Sequence, residues 1–176
     1  MLFRSGTGAT VGKYLGPDHM MKGGLGAFAV EKDGVRLGAV VAVNCLGDVF
    51  DYETNEKVAG LRTMDTVDAM SENIRVFKDV FKGNTTIGCL VTNAKLTKTQ
   101  ATKLAGLGHN GYARAIRPVH TSADGDTIYT MASGIVDADH DALGAMASEV
   151  MARAILTAVR EAKTAYGVPA AADLAK

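Results

Sequence analysis

A chain of 176 residues with 47% hydrophobic content is long enough for one domain and apolar enough to build a real core. Nineteen basic residues cancel nineteen acidic ones, so no net field draws the protein toward nucleic acid or an anionic membrane, and small uncharged or zwitterionic partners are expected. Cys45 and Cys89 lie far apart without a CxxC or Cys/His spacing, which gives neither a disulfide framework nor a zinc site and predicts buried thiols in a reducing compartment.

The start, MLFRSGTGATVG, has no apolar signal-like run, and no stretch approaches the roughly 18 apolar residues of a membrane span, so a soluble cytoplasmic protein is expected. Twenty glycines against three prolines predict tight turns and close backbone approaches rather than disorder. Glycines crowd between Gly6 and Gly26, in GTGATVGK and KGGLG, as loops lining something. Leu25 to Glu31 and Val35 to Asn44 are apolar runs separated by Lys32-Asp33-Gly34, a hairpin pattern. The second, GAVVAVN, is apolar on both faces and reads as a central strand ending at Asn44. Residues 48 to 63 are polar and aperiodic, a surface loop, and Thr66 to Phe81 is ambiguous, with helical spacing at Val67, Met70 and Ile74.

Gly83-Asn84-Thr85-Thr86 interrupts the chain before a β-branched strand from Ile87 to Thr92. Thr97 to Gln100 has the form of a capping box, opening a helix with Ala101, Leu104, Ala105, Ala113 and Ile116 as its apolar stripe. Gly106, Gly108 and Gly111 weaken that helix and let it lie close to a neighbour. Thr127 to Ala132 reads as a strand and Asp139 to Ala165 as a long Ala-rich helix stopped by Gly167 and Pro169, with a tail from Pro169 to Lys176 that frays. Strands followed by helices fit layered α/β packing in a single domain, 1–176.

The chemistry centres on GNTTIG. A Thr hydroxyl needs a base, and an N-terminal Thr carries one in its own α-amine, which titrates near pKa ~8. Thr85 becomes N-terminal if its hydroxyl attacks the Asn84 carbonyl, moves the acyl group from nitrogen to oxygen, and water releases two chains. On residues alone, the ordinary reading is that Asn-Thr-Thr simply caps a turn before a strand. GTGATVGK fails as a phosphate loop, because Thr7 stands where the first Gly is needed and Tyr14 where Ser/Thr is needed, and Val11 spoils a dinucleotide GxGxxG. Asp124-Gly125-Asp126 is a turn without the other ligands of a calcium loop. His19, His109, His120 and His140 show no ligand spacing, so no metal or organic cofactor is expected; Arg114 and Arg117, with His120, could bind a carboxylate, yet a helix C-terminus favours basic residues without any ligand.

SGTGATVGKYLG, KGGLG, GAVVAVN, GNTTIGCLVTNAKLTKTQATKLA, GHNGYARAIRPVHT and DGDTIYTMASG stand in the order and approximate spacing of the L-aminopeptidase/D-esterase family. The chain resembles the C-terminal portion of those self-processing amide hydrolases, which include β-aminopeptidases and nylon-oligomer hydrolases. The resemblance implies an α/β fold, a layered αββα sandwich with its N-terminal half missing upstream of Ser5. It also implies cleavage between Asn84 and Thr85 into an α remnant, 1–84, and a β chain, 85–176, with Thr85 as nucleophile. Asn44, whose amide can donate to the oxyanion or simply end its strand, is the implied oxyanion donor. Lys13, otherwise a surface lysine after a turn, is implied to assist proton transfer or position the nucleophile, and Asp124 and Asp126 to hydrogen-bond around the nucleophile and its amine. Implied substrates are short peptides, amino-acid amides or esters, and the implied assembly is a homo-oligomer of processed αβ units without nucleic acid or membrane. The alternatives are a truncated, inactive remnant or assembly subunit of the same fold, and a small-molecule-binding domain built on the glycine loops.

Overall fold

The computed structural model describes residues 6–76 and 83–174. Its centre is a four-stranded sheet in the order β3 (Gly24–Lys32), β4 (Val35–Val43), β7 (Ile87–Ala94), β9 (Thr127–Val136). The first three run antiparallel; β7 and β9 run parallel, with Ile87 opposite Thr127. A parallel pair needs a crossover, and α2 (Lys98–Ala115) supplies it. The β3–β4 hairpin turns at Asp33 and Gly34, both at positive φ (51° and 78°), which is the primed geometry that matches strand twist. The apolar run therefore sits centrally, as its pattern predicts, and Asn44 is the first residue past it.

One face of the sheet is sealed. Leu37, Ala39, Val41 and Val43 of β4, with Leu90 and Ala94 of β7 and Ile128 of β9, are buried in one core with α2 and α3 (His140–Arg160). Fully burying each larger aliphatic side chain contributes roughly 1.5–3 kcal/mol. The capping box forms as predicted: the Gln100 N–H donates to Thr97 Oγ1 at 3.2 Å, and the Thr97 N–H to Gln100 Oε1 at 2.9 Å. Asp139 caps α3 through the Ala142 N–H at 2.8 Å.

Close approach explains two of the three helix glycines. A Cβ on Gly111 would lie 2.6 Å from the Ser148 carbonyl oxygen of α3, and one on Gly108 3.0 Å from the Leu90 side chain, whereas Gly106 faces open space. Ala113, expected in the apolar stripe, is exposed; Tyr112 and Ala115 are buried instead.

Residues 48 to 63 are not a surface loop. They form β5 (Asp48–Phe50) and β6 (Lys57–Ala59), a three-stranded sheet with β8 (Ile116–Arg117). The polar run misleads because Asp48 is buried to organise backbone: its carboxylate accepts from the Leu61 N–H (2.6 Å), the Thr66 N–H (2.6 Å) and the Thr66 hydroxyl (2.7 Å). The ambiguous stretch gives α1 (Thr66–Glu72); residues 77–82 of it lie outside the described residues.

The long helix stops at Arg160 rather than Ala165, because Tyr166 and Gly167, both at positive φ, turn the chain so that Ala165 pairs with Val168. The tail is held through Leu174: Ala170 is fully buried, the Pro169 carbonyl accepts from the Lys22 N–H of β2 (Met21–Lys22) at 2.8 Å, and α4 (Ala171–Leu174) follows. The expectation that no stretch approaches a membrane span also needs correction. His140–Arg160 is long and apolar enough by length and composition, but 67% of that window is buried inside the fold, as befits a core helix.

The opposite sheet face is apolar yet open, exposing Leu25, Val40, Ile87, Val91, Tyr129 and Met131. The chain thus supplies one β layer and one α layer of the expected α/β sandwich.

A sharp constraint between helix and sheet is Gly26, where a Cβ would lie 2.0 Å from the Ala154 carbonyl oxygen of α3. Gly26→Ala is expected to destabilise the fold by about 3 kcal/mol, by pushing helix and sheet apart. Gly106→Ala should stabilise it by about 1 kcal/mol, through helix propensity alone. Chemical denaturation of both variants tests the pair, and equal effects would disprove the packing account.

Candidate active site

Between the end of β4 and the start of β7 the chain passes Asn44 and then, one strand over, Gly83 to Thr86. This second segment is bound on both sides. The Thr85 N–H donates to the Asn44 carbonyl at 2.9 Å. On the other side, the Gly125 N–H donates to the Asn84 carbonyl at 2.9 Å, and the Thr127 N–H to the Thr86 carbonyl at 3.0 Å. Asn84 and Asp124 form a parallel bridge, so the β7–β9 ladder continues through the candidate cleavage point.

The Thr85 hydroxyl lies against its own preceding peptide, Oγ1 donating to the Asn84 carbonyl oxygen at 2.6 Å. Gly125 makes room for it, since a Cβ there would come within 2.8 Å of Thr85 Oγ1. The structure also separates two threonines that spacing leaves equivalent. Thr85 is half-buried beside the carbonyl, while Thr86 is fully buried on the other side of the strand.

Asn44 joins this segment to the glycine loop. Its Oδ1 accepts from Lys13 Nζ at 2.7 Å and from the Thr10 N–H of β1 (Thr10–Val11) at 3.1 Å; its Nδ2 donates to the Gly83 carbonyl at 2.8 Å. An ammonium can only donate, so it fixes the amide orientation with Oδ1 toward Lys13 and Nδ2 toward the Gly83 carbonyl. Lys13 is not a surface lysine but 3% exposed, and its Nζ also reaches the Asn44 carbonyl at 3.3 Å. Gly12, at φ +68°, turns it inward, and the Gly12 and Lys13 N–H groups donate to the Gly47 and Leu46 carbonyls at 2.9 and 3.0 Å. Burial lowers the Lys13 pKa to about 8, against the raising influence of Cys45 and Asp124.

Asp124 and Asp126 flank Gly125, and both point into the protein. Asp124 Oδ2 accepts from the Thr121 hydroxyl (2.6 Å) and N–H (3.2 Å), and its Oδ1 from the Leu46 N–H (3.3 Å). Asp126 Oδ1 accepts from the Thr86 N–H at 2.9 Å. The Thr85 nitrogen is therefore held by Asn44, and the carboxylates hold the segments either side of the hydroxyl. Burial, chiefly, raises the Asp126 pKa.

A cavity of about 510 Å³ opens beside this cluster, lined by Thr10, Lys13, Met20, Ala42, Asn44 and Gly83 among others. Among the described residues no group of three or more His, Cys, Asp or Glu side chains converges as a metal site. Cys45 is buried and Cys89 half-buried, both as free thiols.

Asn44 and Asp126 thus touch the Gly83–Thr86 segment directly, while Lys13 reaches Asn44 and Asp124 braces the neighbouring turn. Two contributors were missed. The Gly125 N–H carries no side-chain signal, and His120, whose Nδ1 lies 3.0 Å from Asp126 Oδ2, was read as a helix-end residue.

A hydroxyl against a polarised carbonyl, an orienting amide and a buried amine of lowered pKa make an arrangement suited to acyl transfer to a side-chain oxygen. Residues 5–171 match the model of Peptidase family S58, and the chain belongs to that family of aminopeptidases and amide hydrolases. An uncharacterized aminopeptidase of Mycobacterium leprae is 35% identical over 92% of this chain and 50% of its own length. A 6-aminohexanoate-oligomer endohydrolase of Agromyces sp. is 31% identical over 77% of this chain and 44% of its own. The fold is shared with a β-aminopeptidase of Burkholderia sp. (TM-score 0.57, 22% identity, 88% of this chain and 44% of that one). It is shared too with the L-aminopeptidase D-Ala-esterase/amidase of Ochrobactrum anthropi (0.59, 17%, 89% and 43%), described as a variant of the Ntn hydrolase fold. The chain spans about half the length of the curated relatives it matches.

The buried amine yields a stability test. Since the Lys13 pKa lies below its ordinary 10.5, the unfolded chain binds more protons between about 8 and 10.5, and this residue's contribution makes stability rise with pH there. The gain in unfolding free energy of Lys13→Met over the wild type should be largest below pH about 8 and shrink toward 10.5. A difference that is flat with pH in denaturant titrations would show the amine to be solvated.

Proposed function

We propose that this protein is a self-processing aminopeptidase or amidase of the N-terminal-nucleophile type, with Thr85 as the nucleophile that first cuts its own chain. The observation that carries the reading is the 2.6 Å approach of Thr85 Oγ1 to the Asn84 carbonyl, whose oxygen also receives the Gly125 N–H.

For cleavage the hydroxyl turns its proton from the carbonyl oxygen to a base, and Oγ1 attacks the Asn84 carbon. Negative charge then develops on the oxygen that Gly125 already donates to, which is where a fixed donor stabilises most. The Asn84–Thr85 C–N bond breaks, the amine takes a proton, and water hydrolyses the resulting ester to an Asn84 carboxylate and a free Thr85. No α-amine exists before this step. Lys13, neutral in part near pH 8, is the residue assigned to take the proton, because it shares the Asn44 carbonyl as acceptor with the Thr85 N–H.

Once residues 83 and 84 leave, Asn44 Nδ2 loses its Gly83 partner and can donate to the oxyanion of an incoming amide or ester. The freed Thr85 amine remains beside the Asn44 carbonyl and serves as the base. The cavity along Thr10, Lys13 and Met20 receives the acyl group, so short peptides, amino-acid amides or esters, and ω-amino amides of the kind hydrolysed by the 6-aminohexanoate-oligomer relatives are the proposed substrates.

A second reading, an inactive assembly subunit, is favoured by one observation: the open apolar sheet face that another polypeptide would cover. Intact-mass measurement on the chain alone and on its longest genomic reading frame separates the two. The enzyme reading expects two fragments joined at Asn84–Thr85, none in Thr85→Ala, and unimpaired splitting in Thr86→Val. Lys13→Met should slow splitting about 100-fold. A chain that hydrolyses amides while staying whole would overturn the mechanism, since Thr85 would have no amine.

A further inference from the structure

Two consecutive residues serve the two carboxylates of the Asp124-Gly125-Asp126 turn. Thr121 holds Asp124 with its hydroxyl and N–H, and His120 faces Asp126, Nδ1 to Oδ2 at 3.0 Å. The other Asp126 oxygen receives the N–H of Thr86, the residue after the nucleophile. The Asp126 side chain is 3% exposed, so the Thr86 N–H on one oxygen and the His120 ring beside the other dominate its surroundings. His120 adopts φ +56°, an uncommon conformation for a residue with a side chain, and this places its ring against the carboxylate.

The ring is held in turn by α2. It stacks on Tyr112 (centroids 6.0 Å apart, 26° between planes) and meets His109 edge-on at 4.9 Å. Tyr112 is fully buried, with its hydroxyl 3.4 Å from both the Thr86 and Thr127 carbonyls. Thr86 thus has its N–H tied to Asp126 and its carbonyl tied to β9 and α2.

Resting on the reading of Thr85 as nucleophile, we infer that His120 is a positioning residue that pins the Asp126 carboxylate against the Thr86 amide and, through that amide, sets the place of the Thr85 hydroxyl. The groups facing the pair are His109 and Tyr112 from α2, Asp124 from the same turn, and Cys45 from the chain after β4. Burial first, and Asp124 next among the opposing charges, favour the protonated form of Asp126; the Thr86 N–H and His120 oppose them. Burial, then the neighbouring His120, keeps His109 below the usual histidine range. Loss of the His120 charge lets Asp126 hold its proton to higher pH. The acceptor for the Thr86 N–H is then weakened in a pH range where the wild type retains it.

His120→Asn is the informative variant: Asn tolerates positive φ and keeps an N–H donor near the Nδ1 position, but cannot carry charge. The carboxyl carbon of Asp126 is titrated by NMR in the uncut Thr85→Ala chain, with and without His120→Asn. The midpoint should rise by about half a pH unit or more in the double variant. Separately, the self-cleavage rate of His120→Asn relative to wild type should fall most at low pH and return toward the wild-type rate at high pH. An unmoved Asp126 midpoint, or cleavage reduced equally at every pH, would overturn the inference. A wild-type chain that never cleaves would refute the nucleophile reading instead, and the titration alone would then decide whether His120 sets the charge of Asp126.

Discussion

The parallel pairing of residues 84–86 with 124–127 is the constraint on which the site depends. It begins as the β7–β9 ladder and continues past the strand ends, so that the Gly125 N–H meets the Asn84 carbonyl and the Asp126 side chain meets the Thr86 N–H. A loop would let Thr85 sample many rotations about its backbone. A strand edge fixes φ and ψ on both sides and leaves the hydroxyl beside one carbonyl. The same pairing requires the α2 crossover, and that helix brings Tyr112 and His109 beneath the junction. Topology and chemistry are therefore coupled: without a parallel pair there would be neither the amide at the carbonyl nor the ring cluster behind the carboxylate.

Asn44 performs a second integration. As the first residue after β4 it uses its carbonyl, Oδ1 and Nδ2 to engage Thr10 and Lys13 of one segment and Gly83 and Thr85 of another. Lys13 could not be buried without such acceptors, because an unpaired ammonium in the interior costs several kcal/mol. Its lowered pKa follows from that placement and is what makes an amine useful near neutral pH.

The open sheet face sets the scale on which the fold is to be understood. Large apolar side chains of β3, β4, β7 and β9 stand in the open, opposite a face packed against helices. An exposed patch of that kind marks a surface built to be covered. Relatives about twice the matched length supply more polypeptide than this chain contains.

Local patterns were enough to read the hairpin at Asp33-Gly34, the central position of β4 and the capping box at Thr97 and Gln100, whereas Lys13, Asn44, Thr85, Asp124 and Asp126 stood together only through the resemblance to a family. The former features depend on nearest neighbours or on runs whose period survives in the sequence. The β5–β6 pair did not show itself, because its residues are polar for the sake of the buried Asp48, and burial of a carboxylate leaves no periodic trace. The stop at Arg160, the exposure of Ala113 and the anchored tail likewise depend on what each segment packs against. Which of two adjacent threonines faces the carbonyl was decided by strand alternation, and His120 found its place because a positive φ and the α2 rings turn it toward Asp126. Sequence determined which reactive groups are available; only tertiary structure decided which of them share a peptide bond to act on, since distances between segments 30 to 80 residues apart are set by packing and ladder register.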